Sequence, residues 1–134
     1  MREILFKAKR KDNDKWVEGY YLKRYDLLGN EEHLIFHADS YTVWEYAEID
    51  PETLCQFTGL CDKNGKKIWE NDIIQYGAFA AVVKFGEYGN GNLGFYVDFP
   101  EETNYRKDFS YWAKKVVVIG NAVDDRSLLQ EVLE

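Results

Sequence analysis

Residues 53–76 read TLCQFTGLCDKNGKKIWENDIIQY, and this stretch decides the fold. An apolar and aromatic run over residues 54–60 leads into Asp62-Lys63-Asn64-Gly65. Asn-Gly is the dipeptide that takes positive φ most cheaply, so the pattern predicts a β-hairpin with a type I′ turn at Asn64 and Gly65. Residues 66–69 form the return strand. Glu70-Asn71-Asp72 then breaks the alternation before Ile73-Ile74 begins another strand. Asn71 is expected in the left-handed region, which Asn visits more readily than most residues, and Asp72 is expected to cap backbone amides at the bend.

Working outward toward the N-terminus, residues 2–9 alternate charged and apolar side chains with the period of a half-buried strand, and residues 10–14 form its turn. Trp16, Glu18, Tyr20 and Leu22 fall on one face of the next strand and Val17, Gly19 and Tyr21 on the other. Apolar groups on both faces mean that at least one aromatic must meet another element. Leu28-Gly29-Asn30 reads as a second turn, and residues 33–38 and 41–46 as two more strands joined by Asp39-Ser40. Asp50 is a cap and Pro51 is preset for a first helical position. The boundary between an N-terminal β subdomain (residues 1–50) and a C-terminal one (residues 51–134) is placed there.

Beyond the central hairpin, residues 78–85 are almost continuously apolar and predict a core strand buried on both faces. Residues 86–94 hold four of the ten glycines, which predicts a mobile loop or wide turn. Residues 95–99 resume as a strand that stops at Pro100, residues 101–108 are a polar loop, and residues 109–112 a strand or short helix. Residues 115–119 are the last strand. Leu128, Leu129, Val132 and Leu133 then share one face of a helix capped by Asp124 or Asp125. The fold class is mainly β, a β-rich α+β chain of short antiparallel strands with a C-terminal SH3-like small barrel and a short C-terminal helix.

Several of these motifs occur together in one family. QFTGL (residues 56–60), DKNGK (62–66), Ile68-Trp69-Glu70 with Asp72-Ile73, VIGN (118–121), and the opening ILFKA (4–8) followed by KWVEG (15–19) resemble the YopX family of bacteriophage and prophage proteins. The sequence departs from that family's pattern at Asn71, where Gly is usual, and at Cys61, where a polar residue is usual. The resemblance implies a mostly β fold and a phage or prophage origin, in a family without an established activity.

Composition limits the functional classes. With 24 acidic against 17 basic residues the net charge is −7, which opposes the phosphate contacts that drive nucleic-acid binding. Two cysteines, no apolar run near 18 residues and no charged-then-apolar leader predict a cytoplasmic protein with reduced thiols and no membrane association. Cys55 and Cys61 lie too far apart in sequence for a zinc knuckle, and His33 and His37, four apart on a strand, cannot share an ion. No metal or cofactor is expected. Gly89-Asn90-Gly91 lacks the Lys-Ser/Thr and helix of a phosphate cradle and reads as a hairpin loop. Glu70, Asp72 and Asp98 have no accompanying base or elbow serine, so they read as turn-capping and solvating groups, and no enzyme is expected.

The aromatic residues remain. Tyr88, Tyr96, Tyr105 and Tyr111, around the glycine-rich stretch, are candidates for a binding surface, set against the plain alternative that they fill the core. The helix stripe Leu128, Leu129 and Val132 is a candidate for contact with a second copy, set against packing on its own sheet. The expected function is non-enzymatic protein–protein interaction with an unidentified host or phage protein, including self-association as a homo-oligomer. Single-stranded nucleic-acid binding or a replication-associated role is the alternative, disfavoured by the acidic charge.

Overall fold

The structure is a computed structural model that describes residues 2–38 and 40–133, with the backbone alone at Leu133. The expected turn at Asp39-Ser40 and the side chain of Leu133 therefore fall partly or wholly outside the described residues. The chain is mainly β and forms two compact units, Met1–Phe57 and Thr58–Glu134. The division falls within a strand, after the boundary expected at Pro51.

The first unit is an antiparallel meander. Strands β1 (Phe6–Lys9), β2 (Trp16–Tyr25), β3 (Glu31–Ala38) and β4 (Trp44–Glu48) pair in sequence, and the start of β5 (Cys55–Cys61) pairs back on β1. Gly19 is needed for this pairing, because a Cβ there would lie 2.2 Å from the Phe36 carbonyl oxygen. The sheet also curls. Arg10 bridges Ile49, with Lys11 N–H donating to Glu48 O at 3.0 Å and Asp50 N–H donating to Lys9 O at 2.9 Å, so the ends of β1 and β4 come together. Ala8, Ile35 and Ile49 are buried inside the curl, with Phe6, Val17, Tyr21 and Leu54 against them. As expected, Asp50 caps a 3₁₀ turn begun by Pro51, accepting from Glu52 N–H at 3.0 Å.

The reversal between β2 and β3 depends on Asp26. Its Oδ1 accepts from the amides of Leu28 and Asn30, both at 2.8 Å, its carbonyl accepts from Gly29 N–H, and Gly29 takes φ +84°.

In the second unit, β5 ends in the hairpin that the sequence indicated, returning as β6 (Lys67–Trp69). The turn is not type I′. Only Gly65 is left-handed, at φ +82°, whereas a type I′ turn needs Asn64 left-handed too. The reason is Asp62, whose Oδ1 accepts from the amides of Asn64 and Lys66, both at 2.9 Å, while its carbonyl accepts from Gly65 N–H. These bonds hold a three-residue turn with the glycine in the bulge position. Asn71 is left-handed, at φ +72°, and Asp72 Oδ2 accepts from Trp69 N–H at 2.8 Å, both as expected.

A second sheet follows, with strands β7 (Asp72–Tyr76), β8 (Phe79–Tyr88), β9 (Asn92–Val97) and β10 (Val117–Asn121) in the order β10-β7-β8-β9. This sheet is open at β9 and β10, so the SH3-like barrel expected here is not closed; the curled sheet belongs to the first unit instead. Two further expectations need correction. Burial on both faces of β8 is confined to Ala81, Val82 and Val83, while Lys84 and Phe85 are exposed. The hairpin loop read at Gly89-Asn90-Gly91 is present, but the turn is tighter than the mobile loop or wide turn expected over residues 86–94: Gly86 pairs with Gly94 and Tyr88 with Asn92, leaving three residues unpaired.

Residues 109–112 are a helical turn, α1 (Phe109–Trp112), and the terminal helix is α2 (Arg126–Leu133). The core gathers Ile68, Ile74, Ala81, Val83, Val97, Phe109, Trp112 and Val116. The VIGN segment explains the chain's final bend: register shifts between Val118 and Gly120, Asn121 Oδ1 accepts from the amides of Val123 and Asp124, and Asp125 Oδ2 accepts from Asn121 N–H.

Candidate interaction surface

The structure divides the four candidate tyrosines into two groups. Tyr88 and Tyr96 stack on each other, with ring centroids 5.3 Å apart, and both are half-buried. Tyr105 and Tyr111 instead meet at Trp112, at 5.2 and 5.0 Å, where Tyr76 and Phe99 also pack. The Trp112 indole N–H donates to Arg106 O at 2.8 Å, so the hub is fixed as well as filled. Tyr111 lies between two cations, Arg106 at 4.6 Å and Lys115 at 4.0 Å from its ring centroid. These rings are mainly a packing cluster with partly exposed edges. Leu128, Leu129 and Val132 are half-buried, and α2 packs against β8 and β10 of its own unit.

Other sequence candidates have local roles. Asp98 pairs with Lys107 at 3.0 Å, Cys55 is a buried reduced thiol whose Sγ donates to Thr53 O, and Cys61 is a half-buried reduced thiol. Among the described residues, no three His, Cys, Asp or Glu side chains are placed to hold a metal ion, and no helix is long and apolar enough to cross a membrane.

Sequence reasoning missed the outer face of the first unit. Alternation puts Tyr20, Leu22 and Arg24 of β2 on the side away from the core, and register sets Tyr20 opposite Phe36 and Phe36 opposite Tyr46. The result is a row of rings running across three strands. Trp44 packs diagonally on Phe36 at 4.8 Å and on Tyr20 at 6.3 Å, and Phe36 packs on Tyr46 at 4.7 Å. Tyr20 (55%), Trp44 (47%) and Tyr46 (52%) stay exposed, so about half of each of these ring surfaces remains in solvent. Only strand pairing reveals the row, because its members lie on three separate segments.

Cations sit on this face, and three of the four named here have an anionic neighbour. Arg24 lies 5.3 Å from the Tyr46 ring centroid and pairs with Glu32 at 2.8 Å; Lys9, with Lys7 over the Trp16 ring, approaches Asp14 at 3.8 Å; Lys11 pairs with Glu48 at 3.3 Å. The face is therefore aromatic without a basic field.

A second exposed apolar feature is the tip of the Asp26 turn, where Leu27 and Leu28 are 105% and 88% exposed. At the far end of β3, Ala38, Ser40, Tyr41 and Trp44 line an open, mainly apolar hollow of about 490 Å³.

Taken together, the fold and these surfaces define a mainly β protein with exposed aromatic and apolar faces. Its sequence matches the family model described as YopX protein over residues 5–130, and the chain belongs to the YopX family. No curated protein matches the sequence.

Proposed function

We propose that this chain is a non-enzymatic protein of phage or prophage origin that acts by binding protein, either a host or phage partner or a further copy of itself. The observation that carries this reading is the exposed row of Tyr20, Phe36, Trp44 and Tyr46 on the outer face of the first unit. Rigid aromatic anchors are enriched at the energetic centres of protein interfaces and need no basic field. The buried cluster of Ala8, Ile35 and Ile49 lies on the other side of the sheet, so these rings are not part of it. Affinity capture from lysogenic or phage-infected cells with the tagged chain, followed by mass spectrometry, tests the reading. The wild type is expected to retain a partner that a Tyr20→Ser, Trp44→Ser, Tyr46→Ser variant of unchanged circular dichroism loses. Identical captured sets from both would remove the face from consideration.

Single-stranded nucleic acid is the second reading, favoured by the cations over Trp16 and Tyr46. Stacking on such rings contributes about 1 to 3 kcal/mol per base, but affinity also needs phosphate neutralisation, which the paired carboxylates undercut. Titration with a labelled oligonucleotide at physiological salt is expected to give binding weaker than about 1 μM. A tighter, aromatic-dependent constant would reverse the ranking.

A further inference from the structure

The strand edges of the molecule are protected unequally. β10 is bulged between Val118 and Gly120, and the chain beside it is held by Lys63 N–H donating to Val116 O at 3.1 Å and Val118 N–H donating to Asp62. β9 is covered at its end, where Tyr96 bridges Asp108 and Val97 N–H donates to Lys107 O at 2.9 Å. β6 has only three residues, with Ile68 and Trp69 buried. Short length, bulges and covering segments are the usual means of keeping an edge from recruiting another strand.

β4 has none of these over residues 44–46. Register shows which of its backbone groups are open. Ile49 N–H donates to His33 O at 3.0 Å, and Ala47 opposite Ile35 and Glu45 opposite His37 are the next alternate positions of that ladder, so residues 45, 47 and 49 turn their backbone groups to β3 and residues 44, 46 and 48 turn theirs away. At Glu48 the outward carbonyl is in use, accepting from Lys11 N–H at 3.0 Å where the curl closes. At Trp44 and Tyr46 the outward N–H and C=O have no hydrogen-bond partner among the described residues.

We infer that this edge takes one more antiparallel β-strand from a partner protein, an extended segment with apolar side chains at alternate positions and a lysine or arginine between them. The inference rests on the protein-binding reading above and names the partner's chemistry. Extended backbone is required, because it presents donors and acceptors at the spacing of the open groups, and every pairing among β1, β2, β3 and β4 is already antiparallel. Residues set opposite Trp44 and Tyr46 place their side chains beside the exposed rings, which favours apolar ones. The residue between them falls on the other face, opposite Glu45. That carboxylate is exposed and in no ion pair among the described residues, whereas Glu31, Glu32 and Glu48 are each paired, so in a chain of net charge −7 a cation is its complement. A second copy is the poorer strand. Paired two-fold about residue 45 it sets Glu45 opposite itself, and like charges directly opposite destabilise; paired about residue 46 it needs the Glu48 carbonyl that Lys11 holds.

The probe is an end-blocked peptide of alternating valine and lysine, about six residues long as strands usually are, added to the ¹⁵N-labelled intact chain at physiological salt. The Trp44 and Tyr46 amides are expected to shift and to exchange more slowly with solvent. Methylating the valine nitrogens, which face β4 in the inferred register, is expected to abolish this, and methylating the lysine nitrogens to spare it. On the protein side, Tyr46→Thr removes the ring and keeps the outward N–H, whereas Tyr46→Pro removes both and leaves the ladder to β3 intact. Tyr46→Pro is expected to bind about tenfold more weakly than Tyr46→Thr, the order of one lost hydrogen bond. A peptide with glutamate in place of lysine is expected to be rejected by the wild type and accepted by Glu45→Lys.

A valine-lysine peptide that leaves both amides unchanged at about 1 mM, the weak end of specific binding, overturns the inference. Binding that survives methylation of the valine nitrogens overturns strand addition, and this arm needs no variant to fold. Equal binding of the lysine and glutamate peptides overturns the basic partner. If the peptides leave the edge untouched while cells still yield a protein whose capture depends on Tyr20, Trp44 and Tyr46, strand addition alone fails and the aromatic-row reading stands.

Discussion

At Asp26 and at Asp62 the chain reverses by one device, an aspartate that collects the amides of the turn while the glycine three residues on takes positive φ. The environments differ. Asp62 is 5% exposed, and its second oxygen accepts from Val118 N–H of β10 at 3.0 Å, so the Asp62 turn joins two strands of its own unit to a third. Asp26 is at the surface and spends its second oxygen on the adjacent Asn30. The same local motif is thus part of the core assembly in one place and a free-standing display in the other. Aspartate and glycine make the turn; the surroundings decide how much stability it carries.

The largest expected difference is between the aspartates. Asp62→Ala leaves the amides of Asn64, Lys66 and Val118 without their acceptor and is expected to destabilise by about 3 kcal/mol, read as a urea-denaturation midpoint. Asp26→Ala frees amides that water can reach and is expected to shift the midpoint much less. Equal shifts would break the distinction between a buried and an exposed turn.

Glycine substitutions should show the opposite, a shared cost. Neither Gly29 nor Gly65 has an atom within 4 Å of an added Cβ, so valine meets only the backbone strain of positive φ. Each is expected to lose about 1 to 2 kcal/mol. A much larger loss at one site would show that its turn reorganises.

Acid sharpens the comparison. Burial pushes the Asp62 carboxyl up, but the amides of Val118, Lys66 and Asn64 outweigh it and hold the carboxyl below its ordinary value. A depressed native value stabilises the fold above the unfolded pKa, about 3.9, and that contribution is lost as pH falls from there through the native value. The denaturation midpoint should fall more steeply below about pH 4 in the wild type than in Asp62→Asn. Parallel acid limbs would mean that other carboxylates govern the response. The smallest effect is expected for L27K/L28N, whose stability should match wild type within about 0.5 kcal/mol, since the leucines are in solvent.

The hairpin at residues 62–66 was legible because Asn-Gly and the flanking apolar runs are local signals, whereas its turn type was not. A dipeptide shows that positive φ is cheap, but the Asp62 side chain holds Asn64 out of the left-handed region. Asp-x-x-Gly, present at both turns, is the pattern that would have told them apart from type I′. The glycines at residues 86–94 misled for a related reason: Gly86 and Gly94 sit across from each other within a strand pair, where glycine tolerates backbone that reads as loop in one dimension. The row Tyr20–Phe36–Tyr46 is a product of register, and no single segment carries it. Tyr105 and Tyr111 were identifiable as aromatic, but Trp112, which draws them together, was not singled out because a hub is visible only in three dimensions.

The bond from Val118 to Asp62 also orders the protein in time. Its partners are 56 residues apart, and synthesis runs at about 5 to 20 residues per second, so Asp62 leaves the ribosome roughly 3 to 11 seconds before Val118. A hairpin closes within microseconds. The Asp62 turn thus has time to form and reopen many times, with one oxygen facing water, before Val118 is made. It waits for the last strand, and a nascent chain that stops short of residue 118 leaves that oxygen and the edge of β7 open to competing strands.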